Sequence, residues 1–95
     1  MDIKKSLGIA LKQARKTKNL SQEEFSVVSS RTYVSTLERG LYSPTVEKLE
    51  DLAKVLDIHP LTLLALAYLK NEKSLNTTLL LKRIKDELEV LHTDN

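Results

Sequence analysis

Length, composition and charge narrow the class of this protein. The chain has 95 residues, enough for one domain with one core, and it contains two Gly, two Pro and no Cys. Few helix breakers favour an all-α fold, and the lack of Cys excludes disulfides and thiolate metal sites. The net charge of +2 is uneven, because residues 1–42 carry eight Lys or Arg against four acids and residues 43–95 carry seven against nine. A positive N-terminal half indicates contact with a polyanion.

The sequence predicts a soluble, cytoplasmic protein that does not enter a membrane. Asp2 and two lysines interrupt the start of the chain, so we expect no signal peptide. The longest apolar run, residues 63–69, is far too short to cross a bilayer.

Three helices are predicted in the first 40 residues. The first covers residues 3–17, where apolar residues recur at helical spacing. The second begins at Ser21, because Ser21 and Glu24 fit the capping box S-x-x-E. The third is RTYVSTLERG, residues 31–40, and we expect Gly40 to end it in a left-handed conformation.

Three further helices are predicted in the rest of the chain. The fourth covers residues 46–56, after the turn signal Ser-Pro-Thr. Pro60 opens the fifth, an apolar helix, and a polar linker at 70–76 leads to the last helix at about 77–91. The outward face of the fourth helix is expected to hold Glu47, Lys48, Glu50, Asp51 and Lys54.

The last helix carries an apolar seam at 3-4-3 spacing, formed by Leu81, Ile84, Leu88 and Leu91. Two heptads are too few to stabilise a free coiled coil. The seam is therefore predicted either to pack on its own domain or to form a dimer interface, and both alternatives stay open here. We divide the chain into a domain at 1–71 and a C-terminal helical extension at 72–95.

The second and third helices are short and nearly adjacent, the arrangement of a helix-turn-helix. Val34 and Leu37 lie three apart and are expected to hold the third helix to the body. The polar residues on the other side of the helix then point outward, where they suit base edges in a DNA major groove. These candidates for base contact are Arg31, Thr32, Ser35 and Thr36.

Four stretches carry a family resemblance: LSQEEF (20–25), SRTYVSTLERG (30–40), SPTVEKLEDLAKVL (43–56) and IHPLTLL (58–64). Together they resemble the XRE, or Cro/C1-type, helix-turn-helix family of bacterial and phage regulators over residues 7–64. The resemblance implies a compact five-helix, lambda-repressor-like DNA-binding domain, here followed by a C-terminal helix. It also implies a nucleoid-associated transcriptional regulator, a repressor or autoregulator, that acts as a homodimer on a palindromic double-stranded DNA operator.

The resemblance also implies roles for individual residues. Arg31, Thr32 and Thr36 match base-reading positions, and Ser35 lies beside them. A structural ion pair is implied between Arg15 and Glu38. Phosphate contacts are implied for Gln22, Tyr33, Arg39, Tyr42 and Ser43.

The chain departs from the family between its second and third helices. Residues 22–40 span 19 positions, two fewer than the common family pattern, and the missing pair falls between Val28 and Ser30. Either the second helix is shortened, or the turn is tighter and Ser29 or Ser30 caps the third helix.

Other functions receive less support. An antitoxin-like module that uses the same fold to bind another protein is the alternative, favoured by the apolar C-terminal helices. An enzyme is not indicated, because the sequence has no Gly-rich phosphate loop and no nucleophile–His–acid pattern. His59 and His92 lack ligand spacing, so we predict no metal site, no cofactor and no small-molecule substrate.

Overall fold

Five α-helices and one short 3-10 helix follow one another in the computed structural model, which describes residues 2–92. This confirms the all-α fold, and no strand occurs within that range. The elements are α1 (Ile3–Thr17), the 3-10 helix (Gln22–Phe25), α2 (Arg31–Glu38), α3 (Val46–Leu56), α4 (Pro60–Asn71) and α5 (Thr77–His92).

Side-chain caps fix where the helices begin. Each of five capping side chains accepts a hydrogen bond from a backbone N–H that has no carbonyl partner inside its helix. Asp2 accepts from Lys5 at 3.3 Å, Ser30 from Tyr33 at 3.0 Å, Thr45 from Lys48 at 3.1 Å, His59 from Leu61 at 3.0 Å and Asn76 from Leu79 at 2.9 Å. Gly40, with φ +75°, follows α2 in the left-handed conformation that the sequence predicted.

Residues 57–60 form the sharp turn between α3 and α4. Asp57 ends α3 in a left-handed conformation, φ 56°, and the next N–H, from Ile58, donates back to Ala53 O at 3.1 Å. Pro60 is the first residue of α4. No single helix within residues 2–92 is long and apolar enough to span a membrane. Helices α3 and α4 taken together are long and apolar enough, but the angle between them is 99°.

One hydrophobic core joins the first four α-helices and the 3-10 helix. Phe25, the last residue of the 3-10 helix, is fully buried and so anchors that short element. The core consists of Ala10, Leu11, Phe25, Val34, Leu37, Leu52, Leu56, Leu63 and Ala67.

The two glycines of the chain let α1 lie unusually close to the end of α2. A Cβ on Gly8 would stand 2.5 Å from Leu37 O and 2.8 Å from Glu38 O. A Cβ on Gly40 would stand 2.8 Å from Lys5 Cα. Because the nearest of these atoms belong to the backbone, they cannot turn away to make room, and a side chain at either position would strain the contact.

Helix α5 buries none of its residues, and only Leu80 among them is partly buried. Of the two alternatives for its seam, packing on its own domain is therefore wrong for the single chain. Seam exposure is 54% at Leu81, 39% at Ile84, 51% at Leu88 and 76% at Leu91. Ion pairs between residues four apart cover other faces of the helix: Lys82–Asp86 at 2.7 Å, Arg83–Glu87 at 3.3 Å and Lys85–Glu89 at 3.2 Å.

Candidate nucleic-acid interface

The 3-10 helix and α2 are joined by a turn that is closed by short-range bonds. The N–H groups of Val28 and Ser29 both donate to Phe25 O, at 3.0 and 2.9 Å. Ser30 then caps α2 through the Tyr33 N–H. Both explanations of the two missing residues therefore apply, since the second element is reduced to one 3-10 turn and Ser30, rather than Ser29, is the cap.

Helix α2 has a buried face and an outward face. Successive residues rotate by about 100° around the helix axis, so its residues divide into two arcs. The inward arc holds Val34, Thr36 and Leu37, which are buried, and Tyr33, which is partly buried. The outward arc holds Arg31 and Thr32, which are exposed, and Ser35, which is partly buried. Arg39, directly after the helix, continues the outward arc and is exposed.

The expected outward position of Thr36 is wrong. Its side chain is buried at 9% exposure, and its hydroxyl donates to Thr32 O at 2.7 Å. The two aliphatic residues Val34 and Leu37 predicted a narrow apolar face, but α2 packs against both α1 and the 3-10 helix. Its buried arc is therefore wide enough to include Thr36, so the base-reading candidates that face outward are Arg31, Thr32 and Ser35.

Arg31 is held by an acidic residue that sequence reasoning did not single out. Its Nη1 lies 3.2 Å from Glu23 Oε1, with 67% of the arginine and 71% of the glutamate side chain exposed. An ion pair this exposed contributes about 0–1 kcal/mol, so a stronger partner can displace Glu23. The sequence offered no signal for this pair, because two residues eight positions apart become neighbours only through the turn.

A buried hydrogen-bond network fixes the far end of α2. Glu38 Oε2 accepts from Arg15 Nε at 2.7 Å, and Oε1 accepts from Arg15 Nη2 at 3.0 Å and from Gln22 Nε2 at 3.1 Å. Arg15 also donates to Leu20 O at 2.9 Å. The hydrogen bond to Glu38, with its charge attraction, raises the pKa of Arg15 above its ordinary value and outweighs burial, so Arg15 remains charged. This network ties α1, the 3-10 helix and α2 together, and Gln22 braces α2 from within it.

Lys48 was expected on the outward face of α3, and that position is wrong. Its Nζ donates to Val28 O in the turn at 2.6 Å and lies 5.5 Å from the centroid of the Tyr33 ring. Sequence reasoning missed it because 20 residues separate Lys48 from Val28, and only the packing of α3 brings them together.

The loop after α2 supplies further polar groups. Tyr42 is 58% exposed, and Ser43 is also exposed. With Arg39, they are accessible polar groups that follow the C-terminus of α2 in the chain. The short helix α2 thus presents Arg31 and Thr32 in its first turn, and Arg39, Tyr42 and Ser43 follow its end. The buried network around Glu38 holds the helix in place.

Comparisons with known proteins agree with this geometry. The family described as "Helix-turn-helix" matches residues 11–63. The chain is 42% identical over 60 residues to an uncharacterised HTH-type transcriptional regulator, y4dJ, of Sinorhizobium fredii, covering 61% of this chain and 78% of the relative. It is 39% identical over 75 residues to control protein C.SmaI of Serratia marcescens, covering 77% and 89%. It is 38% identical over 56 residues to the ImmF control region 10 kDa protein of Bacillus phage phi105, covering 57% and 62%.

Proposed function

The chain belongs to the helix-turn-helix family, and we propose that it is a transcriptional regulator that reads double-stranded DNA sequence with the outward face of α2. One observation carries this proposal: Arg31, Thr32 and Ser35 share the face of α2 that the core does not cover. Similarity to a transcriptional regulator and to two control proteins supports it.

The recognition helix, α2, is proposed to lie in the major groove with its first turn against the bases. Arg31 can pair with O6 and N7 of guanine through two parallel hydrogen bonds, worth about 1–3 kcal/mol of discrimination against a wrong base. The exposed pair with Glu23 contributes only about 0–1 kcal/mol, so it opposes the transfer of Arg31 to guanine only weakly. Thr32 and Ser35 are proposed to contact neighbouring bases with their hydroxyls.

Phosphate contacts are proposed around this helix. Arg39, Tyr42 and Ser43 extend past its end, where the DNA backbone would run. Gln22 gives one amide hydrogen to Glu38, and an amide nitrogen has two, so the second is proposed for a phosphate. Tyr33 is partly buried under Lys48, and only its hydroxyl is proposed to reach the backbone.

We propose that two copies associate through the seam of α5 and bind a palindromic operator. The seam is apolar, exposed and repeated at heptad spacing, so it is complementary to a second copy of itself. A two-fold dimer would place its two recognition helices on half-sites about 34 Å apart, one turn of DNA. Binding there would block transcription, as in a repressor or autoregulator.

The same exposed seam favours one second candidate, an antitoxin-like module whose α5 binds a different protein. The two candidates differ in the state of the purified protein. A stable homodimer supports the regulator, whereas a monomer that aggregates through α5 supports the module with a missing partner.

Selection of bound duplexes from a random pool, followed by titration at several salt concentrations, tests the proposed function. We expect enrichment of an inverted repeat with half-site centres about one turn apart. The logarithm of the affinity should fall linearly with the logarithm of salt concentration, because phosphate contacts release counterions. A promoter overlapping the enriched site should be repressed in a reporter strain. Failure to enrich any sequence would contradict the proposal.

A further inference from the structure

The turn of the helix-turn-helix is bonded to a residue outside it. Val28 O, in the turn between the 3-10 helix and α2, accepts a hydrogen bond from Lys48 Nζ at 2.6 Å. A hydrogen bond from a charged donor is shorter and stronger than one between neutral groups. Lys48 stands in the first turn of α3, and its own N–H is capped by Thr45. The turn is therefore held from the scaffold side by α3.

The same ammonium group also contacts the recognition helix. Lys48 Nζ lies 5.5 Å from the ring centroid of Tyr33, within the range of a cation–π interaction. Tyr33 is the third residue of α2 and packs against the core. A contact with its ring therefore acts on the first turn of the helix. One side chain thus links α3, the turn and α2.

We propose that Lys48 is a positioning residue that sets the tilt of α2 and so determines how well the protein distinguishes its operator from other DNA. This inference rests on the proposed function. The turn is two residues shorter than the family pattern. The Ser30 cap fixes where α2 begins, and the buried inward arc fixes its rotation about its own axis. The tilt of the α2 axis relative to α3 is then left, and the hydrogen bond from Lys48 to Val28 O fixes it by holding the turn against α3.

The opposing explanation is that Lys48 is a phosphate contact, because any lysine near DNA attracts it. The two roles predict different effects on DNA affinity when a neutral side chain replaces Lys48. Loss of a phosphate contact weakens binding to all duplexes alike and reduces the salt slope by about one unit. Loss of a positioning residue weakens the best duplex alone and leaves the salt slope unchanged.

The experiment compares Lys48→Met with Lys54→Met in the full chain. Met keeps the apolar stem of Lys and removes the charge. Lys54 is a matched control, because it lies on the same helix and is exposed. Each variant is titrated on the duplex enriched by the wild type and on a shuffled duplex, at several salt concentrations.

We expect Lys48→Met to bind the enriched duplex about tenfold more weakly, comparable to the loss of one base contact, with the shuffled duplex within about twofold of wild type. Lys54→Met should preserve the discrimination between the two duplexes. Lys48→Arg should restore it, since a guanidinium can also donate to Val28 O and stack on Tyr33. An equal loss on both duplexes, or a lower melting temperature with unchanged discrimination, would overturn the proposal.

Amide hydrogen exchange of the DNA-free protein gives a second readout. Lys48→Met should speed exchange of the Val28 and Ser29 amides, which are bonded to Phe25 O, while α4 stays protected. Unchanged exchange at the turn would overturn the proposal. If the wild type selects no duplex, the proposed function fails, yet exchange still tests whether Lys48 holds the turn. If Lys48→Met does not fold, Lys48→Gln, which is neutral and shorter, is measured in the same way. Unchanged turn exchange with unchanged discrimination in Lys48→Gln would overturn the proposal.

Discussion

At the scale of residues, the carboxylate of Glu38 holds the C-terminal end of α2 in place. Only 4% of its side chain is exposed, and three side-chain donors from Arg15 and Gln22 satisfy it. No buried side-chain nitrogen or oxygen among residues 2–92 lacks a hydrogen-bond partner. A buried ion pair adds little over apolar packing when complete, but the loss of one partner leaves the other charge uncompensated.

Glu38→Gln is therefore expected to destabilise the fold by about 3 kcal/mol, because Arg15 keeps its charge and loses its counter-ion. Glu89→Gln is the matched control, since Glu89 pairs with Lys85 at 3.2 Å on the exposed helix α5. The control should change stability by less than about 1 kcal/mol. Urea unfolding followed by circular dichroism measures both, and an equal effect of the two substitutions would refute the structural role of the network.

At the scale of elements, the contact between α1 and α2 depends on the absence of a side chain at Gly8. The Cβ of any other residue would lie 2.5 Å from Leu37 O, well inside the van der Waals distance. The carbonyls at the C-terminus of α2 lie directly against α1. Any shift of α1 here would also move Arg15, and with it the network that holds Glu38.

Gly8→Ala is expected to lower stability by about 1–3 kcal/mol, the usual cost of overpacking. Alanine favours a helix over glycine by about 1 kcal/mol, so helix propensity alone would make Gly8→Ala stabilising. The sign of the measured change therefore shows whether overpacking or helix propensity dominates. Gln13→Ala, at an exposed position of α1, should be nearly neutral. Thermal unfolding separates them, at about 4–8 °C per kcal/mol for a domain of this size. A rise in melting temperature for Gly8→Ala would show that α1 is not closely seated.

Most elements were predictable because their signals are local. Apolar spacing and capping residues lie within a few positions of each other, so α1, α3 and α5 were found with nearly correct ends. Gly40 was correctly expected to be left-handed, since the pattern before it stops there. Ser30 was one of two predicted caps, and the choice between it and Ser29 needed the conformation of the turn.

The errors share one physical cause, which is packing between distant segments. Thr36 is buried because two neighbouring elements widen the inward arc of α2. Lys48 turns inward because α3 lies beside a turn that is 20 residues earlier in the chain. Glu23 meets Arg31 only after that turn has formed. None of these contacts leaves a periodic pattern in the sequence.

At the scale of the whole molecule, the outward face of α2 and the α5 seam belong to different elements. The α5 seam exposes four apolar side chains in a row. An isolated helix of this length is only marginally stable in water, so association with a second copy would stabilise α5 and also bring two α2 helices into one assembly.

Leu88→Glu is expected to convert a homodimer into a monomer of 10.8 kDa, because it places a charge in the middle of the seam. Leu79→Glu is the matched control, since Leu79 is 52% exposed on α5 but lies outside the seam. Analytical ultracentrifugation gives both masses. A wild-type monomer, or a Leu88→Glu variant that still forms dimers, would exclude the seam as the dimer interface.

The most direct test of the central claim is the base preference of Arg31→Ala, measured by titrating the wild type and the variant against single-base substitutions of the enriched duplex. If α2 reads bases through its outward face, the variant loses about 1–3 kcal/mol on the best duplex and no longer distinguishes guanine at one position of each half-site. Arg83→Ala, on α5, should retain the wild-type preference. An Arg31→Ala variant that binds the best duplex as tightly as wild type, with the same preference at every position, would contradict the account.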